Sequence, residues 1–111
     1  MDTKQHDKRP QTEEMPPSAR MTAEIRTIIL ETAHQHGANN VRIFGSAARG
    51  DDSQESDLDL LVEFEHGRSL LDRIALAQDL EDVLGIKIDV VTEKALHPLI
   101  RAEILAQAQP L

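Results

Sequence analysis

Two aspartates separated by a single residue, Asp57 and Asp59, are the pair in this chain best suited to chemistry. On a strand, positions i and i+2 project from the same face roughly 6 to 7 Å apart, close enough for both carboxylates to converge on one hard cation. Left bare, two unit charges about 4 Å apart repel by about 4 kcal/mol at an effective dielectric near 20. Such a pair is a poor structural device and a sensible Mg²⁺ site. Asp89 stands among Ile88, Val90 and Val91, and a carboxylate in so apolar a strand is costly to bury unless paired or metal-bound. It is therefore expected to face Asp57 and Asp59 from a neighbouring strand. Three carboxylates so placed would hold one or two Mg²⁺ ions, which neutralise triphosphate charge and stabilise attacking and leaving oxygens. Asp89 is also placed to accept the proton of an attacking hydroxyl.

Upstream lie Gly45 and Ser46, with ten residues between Ser46 and Asp57. Where a strand meets a short helix, a glycine lets a phosphate approach the backbone and the helix start offers free N–H groups. Ser46 adds a hydroxyl donor, and Arg49, one helical turn on, is within reach of a phosphate as pyrophosphate departs. Simpler readings stand beside these. Ser46 would also serve as a helix cap, and Arg49 as a salt-bridge partner of Asp51, Asp52 or Asp57. An Asp-x-Asp pair alone is common on surface strands; its weight comes from Gly45, Ser46 and Asp89 together.

Other motifs fail on particular residues. An EF-hand loop starting at Asp51 would need glycine where Ser56 stands, and that glycine makes the loop's sharp turn. A P-loop needs lysine directly after Gly50, where the chain has Asp51. His34, His36, His66 and His97 have no zinc-ligand spacing and suit solvated or capping positions.

Elements to position the carboxylates follow from periodicity. Residues 1 to 20 are polar, carry Pro10, Pro16 and Pro17, and read as a flexible tail before a single domain over 21–111. Thr22 caps a predicted helix to about His36, with Ile25, Ile28, Ile29 and Ala33 on one face and Gly37 as its stop. After turn residues Gly37 to Asn40, the segment VRIF (41–44) reads as a strand, SAARG as about one helical turn, and DDSQES as a surface loop. In the next strand Leu58, Leu60 and Val62 share one face while Asp57, Asp59 and Leu61 share the other. Ser69 with Asp72 resembles a capping box before a helix ended by Gly85. A third strand, IKIDVV, precedes a last helix that starts near His97 and Pro98 and is stopped by Pro110. Leu99, Ile100, Ile104 and Leu105 on that helix suit docking onto the chain's own core or onto a partner. The order helix, strand, short helix, strand, helix, strand, helix predicts an α/β chain of the α+β kind: a small mixed three-stranded sheet with helices packed on it.

Composition narrows the options. The 111 residues suit one modest core and leave no room for a separate substrate-reading domain. Hydrophobic residues at 40 % and charged residues at 29 % belong to the globular class. There is no cysteine, hence no disulfide, thiolate nucleophile or Cys-based zinc site. A net charge of -8 disfavours broad nucleic-acid binding and suits a site that collects divalent cations. No apolar run approaches the roughly 18 residues that span a membrane, and the first residues lack a secretory signal, so a cytoplasmic location is expected.

The stretch GSAARGDDSQESDLDLLVEF, with the later IDVV, resembles the signature of the DNA polymerase beta type nucleotidyltransferases, specifically their minimal branch. The resemblance spans about residues 22 to 106 and implies the nucleotidyltransferase fold. It also implies that Ser46 binds triphosphate, that Asp57 and Asp59 bind metal, and that Asp89 completes the catalytic triad. Minimal members are typically antitoxins beside a HEPN-domain ribonuclease toxin, and transfer AMP from ATP to a toxin tyrosine. ATP with Mg²⁺ and a HEPN toxin are thus the implied substrate, cofactor and partner. Two alternatives accompany this reading: neutralisation of the toxin by binding alone, and nucleotide addition to RNA or a small molecule.

Overall fold

The computed structural model describes residues 15–111, in which helices α1 (Ala23–Gln35), α2 (Gly45–Arg49), α3 (Leu70–Leu84) and α4 (Pro98–Gln107) alternate with strands β1 (Ala38–Phe44), β2 (Leu58–Phe64), β3 (Ile88–Thr92) and β4 (Gln109–Pro110). Local chemistry sets most boundaries. The Thr22 side chain accepts from the Ile25 amide at the start of α1, and Ser69 and Asp72 form a reciprocal capping box on α3. That box satisfies two of the donors a helix start leaves without partners. His97 accepts from the Leu99 amide through Nδ1, with Pro98 opening α4. Gly85 ends α3 at φ 68°, a left-handed conformation that a side chain would strain. No helix among the described residues is long and apolar enough to cross a membrane.

The strands form one mixed sheet in the order β3-β2-β1-β4, with β2 and β3 parallel and the other pairs antiparallel. The parallel pair requires a crossover, which α3 supplies. Alternation along β2 separates two apolar layers. Leu58, Leu60 and Val62 join Ile29 and Ala33 of α1 and Leu76 and Leu80 of α3 in the main core. On the opposite face Leu61, Phe44 and Leu96 are covered by Ile104 and Leu105 of α4. The apolar residues toward the end of α4 therefore dock on the chain's own sheet, whereas Leu99 and Ile100 at its start are exposed.

Four expectations are corrected. The sheet has four strands, not three, because Gln109 and Pro110 pair with Ile43 and Arg42. Two residues are too few to carry a strand period, and a proline is tolerated at this sheet edge. Pro110 accordingly does not stop α4, which already ends at Gln107. β1 starts at Ala38, inside the stretch read as a turn: a register irregularity between Asn39 and Arg42, with Asn40 at φ 49°, lets turn-forming residues sit in a strand. Finally, residues 15–20, assigned to the tail, pack against the domain. Pro17–Arg20 form a 3-10 turn with Pro17 and Arg20 buried. Residues 1–14 of the expected tail lie outside the described residues.

Candidate active site

β2 and β3 run in parallel register with Asp59 directly opposite Asp89, so their side chains leave the same face of the sheet as neighbours. Asp57 immediately precedes β2. The three aspartates proposed from sequence are thus brought to one end of the parallel pair, beside α2. Their environments differ: Asp59 is half-buried, whereas Asp57 and Asp89 are exposed. The burial cost expected for Asp89 is therefore not what places it; the register of β3 on β2 does.

The Asp59 carboxyl is pushed up from its ordinary 3.8 to about 6, first by burial and then by the charges of Asp89 and Asp57, with Arg49 opposing them. A half-buried carboxyl flanked by two further carboxylates, with one cationic side chain countering them, makes a set of hard oxygen donors suited to Mg²⁺. In this conformation no three His, Cys, Asp or Glu groups among the described residues converge as a closed metal cage. The register of β3 on β2 sets Asp89 beside Asp59, and Asp57 lies two residues before Asp59.

Gly45 explains how the turn between β1 and α2 meets the carboxylates. It follows Phe44, whose register partner on β2 is Asp59, and it adopts φ 75°. A Cβ there would collide with Asp59 Oδ2 and lie 3.1 Å from its Cγ. Glycine is thus required twice over, for the left-handed backbone and for the contact. Ser46 lies within the first turn of α2, while the N-cap position falls on Phe44, which makes no capping bond. The capping role considered for Ser46 is not the one it plays. The Ser46 carbonyl accepts from the amides of Gly50 (2.9 Å) and Asp51 (3.2 Å), which closes the C-terminal end of α2 at Gly50.

Arg49 pairs with Asp51 at 3.1 Å, both side chains being largely exposed. An exposed pair of this kind is worth at most about 1 kcal/mol, so it does not lock the guanidinium in place. Gln107, at the end of α4, was not foreseen: its Oε1 accepts from the Gly45 amide at 2.9 Å and from Arg49 Nη1 at 3.5 Å. Nothing in its local sequence marks it, because its role depends on how α4 folds back over the sheet.

A concave surface of about 640 Å³ lies elsewhere, lined by residues such as Phe64, Arg68, Leu70, Arg73 and Lys94. It opens at the far ends of β2 and β3 and contains none of the residues above.

The fold has counterparts among known proteins. The nucleotidyltransferase domain family matches residues 23–111. A candidate protein adenylyltransferase of Methanocaldococcus jannaschii is 45 % identical over 85 residues, covering 77 % of this chain and 91 % of the relative. The solved structure of a candidate minimal nucleotidyltransferase superposes with a TM-score of 0.74 at 45 % identity, covering 85 % of this chain and 95 % of the other. A tri-AMPylated Shewanella oneidensis HEPN toxin in complex with its MNT antitoxin provides a further match, with a TM-score of 0.62 at 18 % identity over 81 % of this chain and 71 % of that one. At that identity the likeness is one of fold.

Proposed function

The chain belongs to the nucleotidyltransferase domain family, and from that premise we propose that it is an antitoxin that transfers AMP from ATP to a tyrosine hydroxyl of a HEPN ribonuclease toxin, so neutralising it. The observation that carries the reading is the placement of Asp57, Asp59 and Asp89 beside the Gly45–Ser46 turn. Its similarity to a candidate protein adenylyltransferase supports a protein acceptor. The AMPylated HEPN toxin bound to a protein of this fold supports the partner.

Asp57, Asp59 and Asp89 would hold Mg²⁺, which when bound neutralises triphosphate charge. The chain's own groups do the rest. The backbone at Gly45, lacking a side chain, admits a phosphate, and the Ser46 hydroxyl donates to it. Arg49 exchanges its exposed partner Asp51 for the charge that builds on the departing pyrophosphate. The tyrosine oxygen attacks the α-phosphorus, the bond from that phosphorus to the β-phosphate bridge oxygen breaks, and pyrophosphate leaves. Asp89, exposed beside Asp59, accepts the phenolic proton.

Labelled ATP, Mg²⁺ and the toxin encoded by the neighbouring gene test this directly. Wild type is expected to label the toxin and the double variant Asp57→Asn, Asp59→Asn is not; equal labelling by both would sink the mechanism. A second reading, neutralisation by binding alone, is favoured by the exposed apolar side chains Leu70, Leu71 and Ile74 on α3 and Leu99 and Ile100 on α4. It predicts that the same double variant still protects cells from the toxin at native expression.

A further inference from the structure

We propose that residues 15–20 form a strap that sets the shape of the phosphate-binding turn, with Ser18 and Asp52 as its clasp; the role of that turn rests on the nucleotide-binding reading above. The segment precedes the family match, which begins at residue 23, yet it is anchored like part of the core. Pro17 is among the fully buried side chains and Arg20 is 7 % exposed. Arg20 donates to the carbonyls of Met15 (3.1 Å) and Leu84 (3.5 Å), tying the segment to the end of α3.

From this anchor Ser18 reaches across 34 positions in sequence to one carboxylate. Its amide donates to Asp52 Oδ2 at 2.8 Å and its hydroxyl to Asp52 Oδ1 at 2.7 Å. Hydrogen bonds to an ionised acceptor are the strong kind, and here both oxygens are engaged. Asp52 is half-buried while its neighbours Asp51 and Ser53 are exposed. The clasp therefore holds the second residue of the polar loop that follows the turn.

Its position gives it leverage. Gly50 and Asp51, immediately before Asp52, donate their amides to the Ser46 carbonyl. On the other side the loop runs to Asp57. Holding Asp52 thus restrains both the residue that meets phosphate and the approach to the first carboxylate. Without the clasp the loop samples more conformations, and a nucleotide must order the turn as it binds. That cost lowers apparent affinity by the fraction of molecules already competent. Ser18 and Asp52 are positioning residues; neither is placed to touch the nucleotide.

The test uses the full chain, with Mg²⁺-ATP binding measured by titration calorimetry without any acceptor. Asp52→Ala, which removes both bonds, is expected to weaken binding by roughly five- to tenfold, and Ser18→Ala, which keeps the amide bond, by about two- to fivefold; the double variant is no weaker than Asp52→Ala, and Ser18→Thr keeps wild-type affinity. In the transfer assay the same variants raise the KM for ATP while kcat stays within about twofold. Amide exchange at residues 45–52 accelerates in the variants, whereas α3 keeps its protection. Wild-type affinity in both single variants would overturn the strap. Failure of the wild-type chain to bind ATP would instead refute the nucleotide-site reading, so the two failures are distinguishable.

Discussion

Replacing Asp59 by asparagine is expected to stabilise the metal-free protein at neutral pH while destroying its activity. The reason is the cluster's own repulsion. The Asp59 carboxyl is raised from 3.8 to about 6 by burial, Asp89 and Asp57. A carboxyl with a raised folded-state pKa keeps its proton in the folded chain after the unfolded chain has released it. Its contribution to stability is therefore fully present below about pH 4 and is lost as pH rises through about 6. A shift of about 2 units corresponds to about 3 kcal/mol at most. Asp59 is only half-buried and two of the interacting charges are exposed, so screening reduces this to roughly 1–2 kcal/mol. For a domain of this size that is about 5–10 °C in Tm. The measurement is thermal unfolding by circular dichroism in EDTA, for wild type and Asp59→Asn, from pH 4 to 8. The variant should melt higher at pH 7.5, with the gap widening between pH 4 and 7 and then levelling. Added Mg²⁺ should raise the wild-type Tm and leave the variant nearly unmoved. A gap that is absent, reversed or independent of pH would refute the account of Asp59 as a repelled carboxylate awaiting a cation.

Gly45→Ala must place a Cβ against Asp59 at φ 75°; a loss of about 1–3 kcal/mol in urea unfolding is expected, together with loss of AMP transfer. Ser69→Ala removes one half of the α3 capping box and should cost about 1 kcal/mol by the same measurement, with transfer at 25 °C unchanged. Asp72, the other half, is held below the usual carboxylate range first by the Ser69 backbone N–H. That contribution is present above about pH 4 and is lost as pH falls below it, opposite in sign to Asp59. Arg49→Ala removes an exposed pair with Asp51 and should change stability by less than about 0.5 kcal/mol. Its transfer rate should nonetheless fall at least about tenfold, the loss of one charge-assisted contact to the leaving group; an unchanged rate would confine Arg49 to the salt bridge.

Several elements were legible because their determinants are local. Thr22 before an apolar 3.6-residue period, the Ser69 and Asp72 pair, and Pro98 after His97 each act within one helical turn, and each marks the helix it was expected to start. The two faces of β2 were legible for the same reason, since alternation is a property of consecutive residues. β4 was not, because two residues carry no period and their pairing with Arg42 and Ile43 depends on where α4 ends. The early start of β1 was hidden by Asn39, which pairs with Glu63 of β2, and by Asn40, which sits in the register irregularity at φ 49°.

By itself, the sequence determined which groups are available to this site. An Asp-x-Asp on a strand, a Gly-Ser at a strand end and a third aspartate in an apolar run are fixed by residue type and spacing, so the chemistry could be inferred from them. Tertiary structure decided how those groups meet. Asp89 faces Asp59 because β3 lies parallel to β2 in one register, not because burial demands a partner. Gly45 is obligatory because Asp59 occupies the space of its missing side chain. Gln107 and Ser18 reach the turn from the two ends of the described chain, 62 residues after Gly45 and 34 before Asp52. Contacts at such separations leave no local period or spacing to read; they exist only once the sheet and its helices have packed.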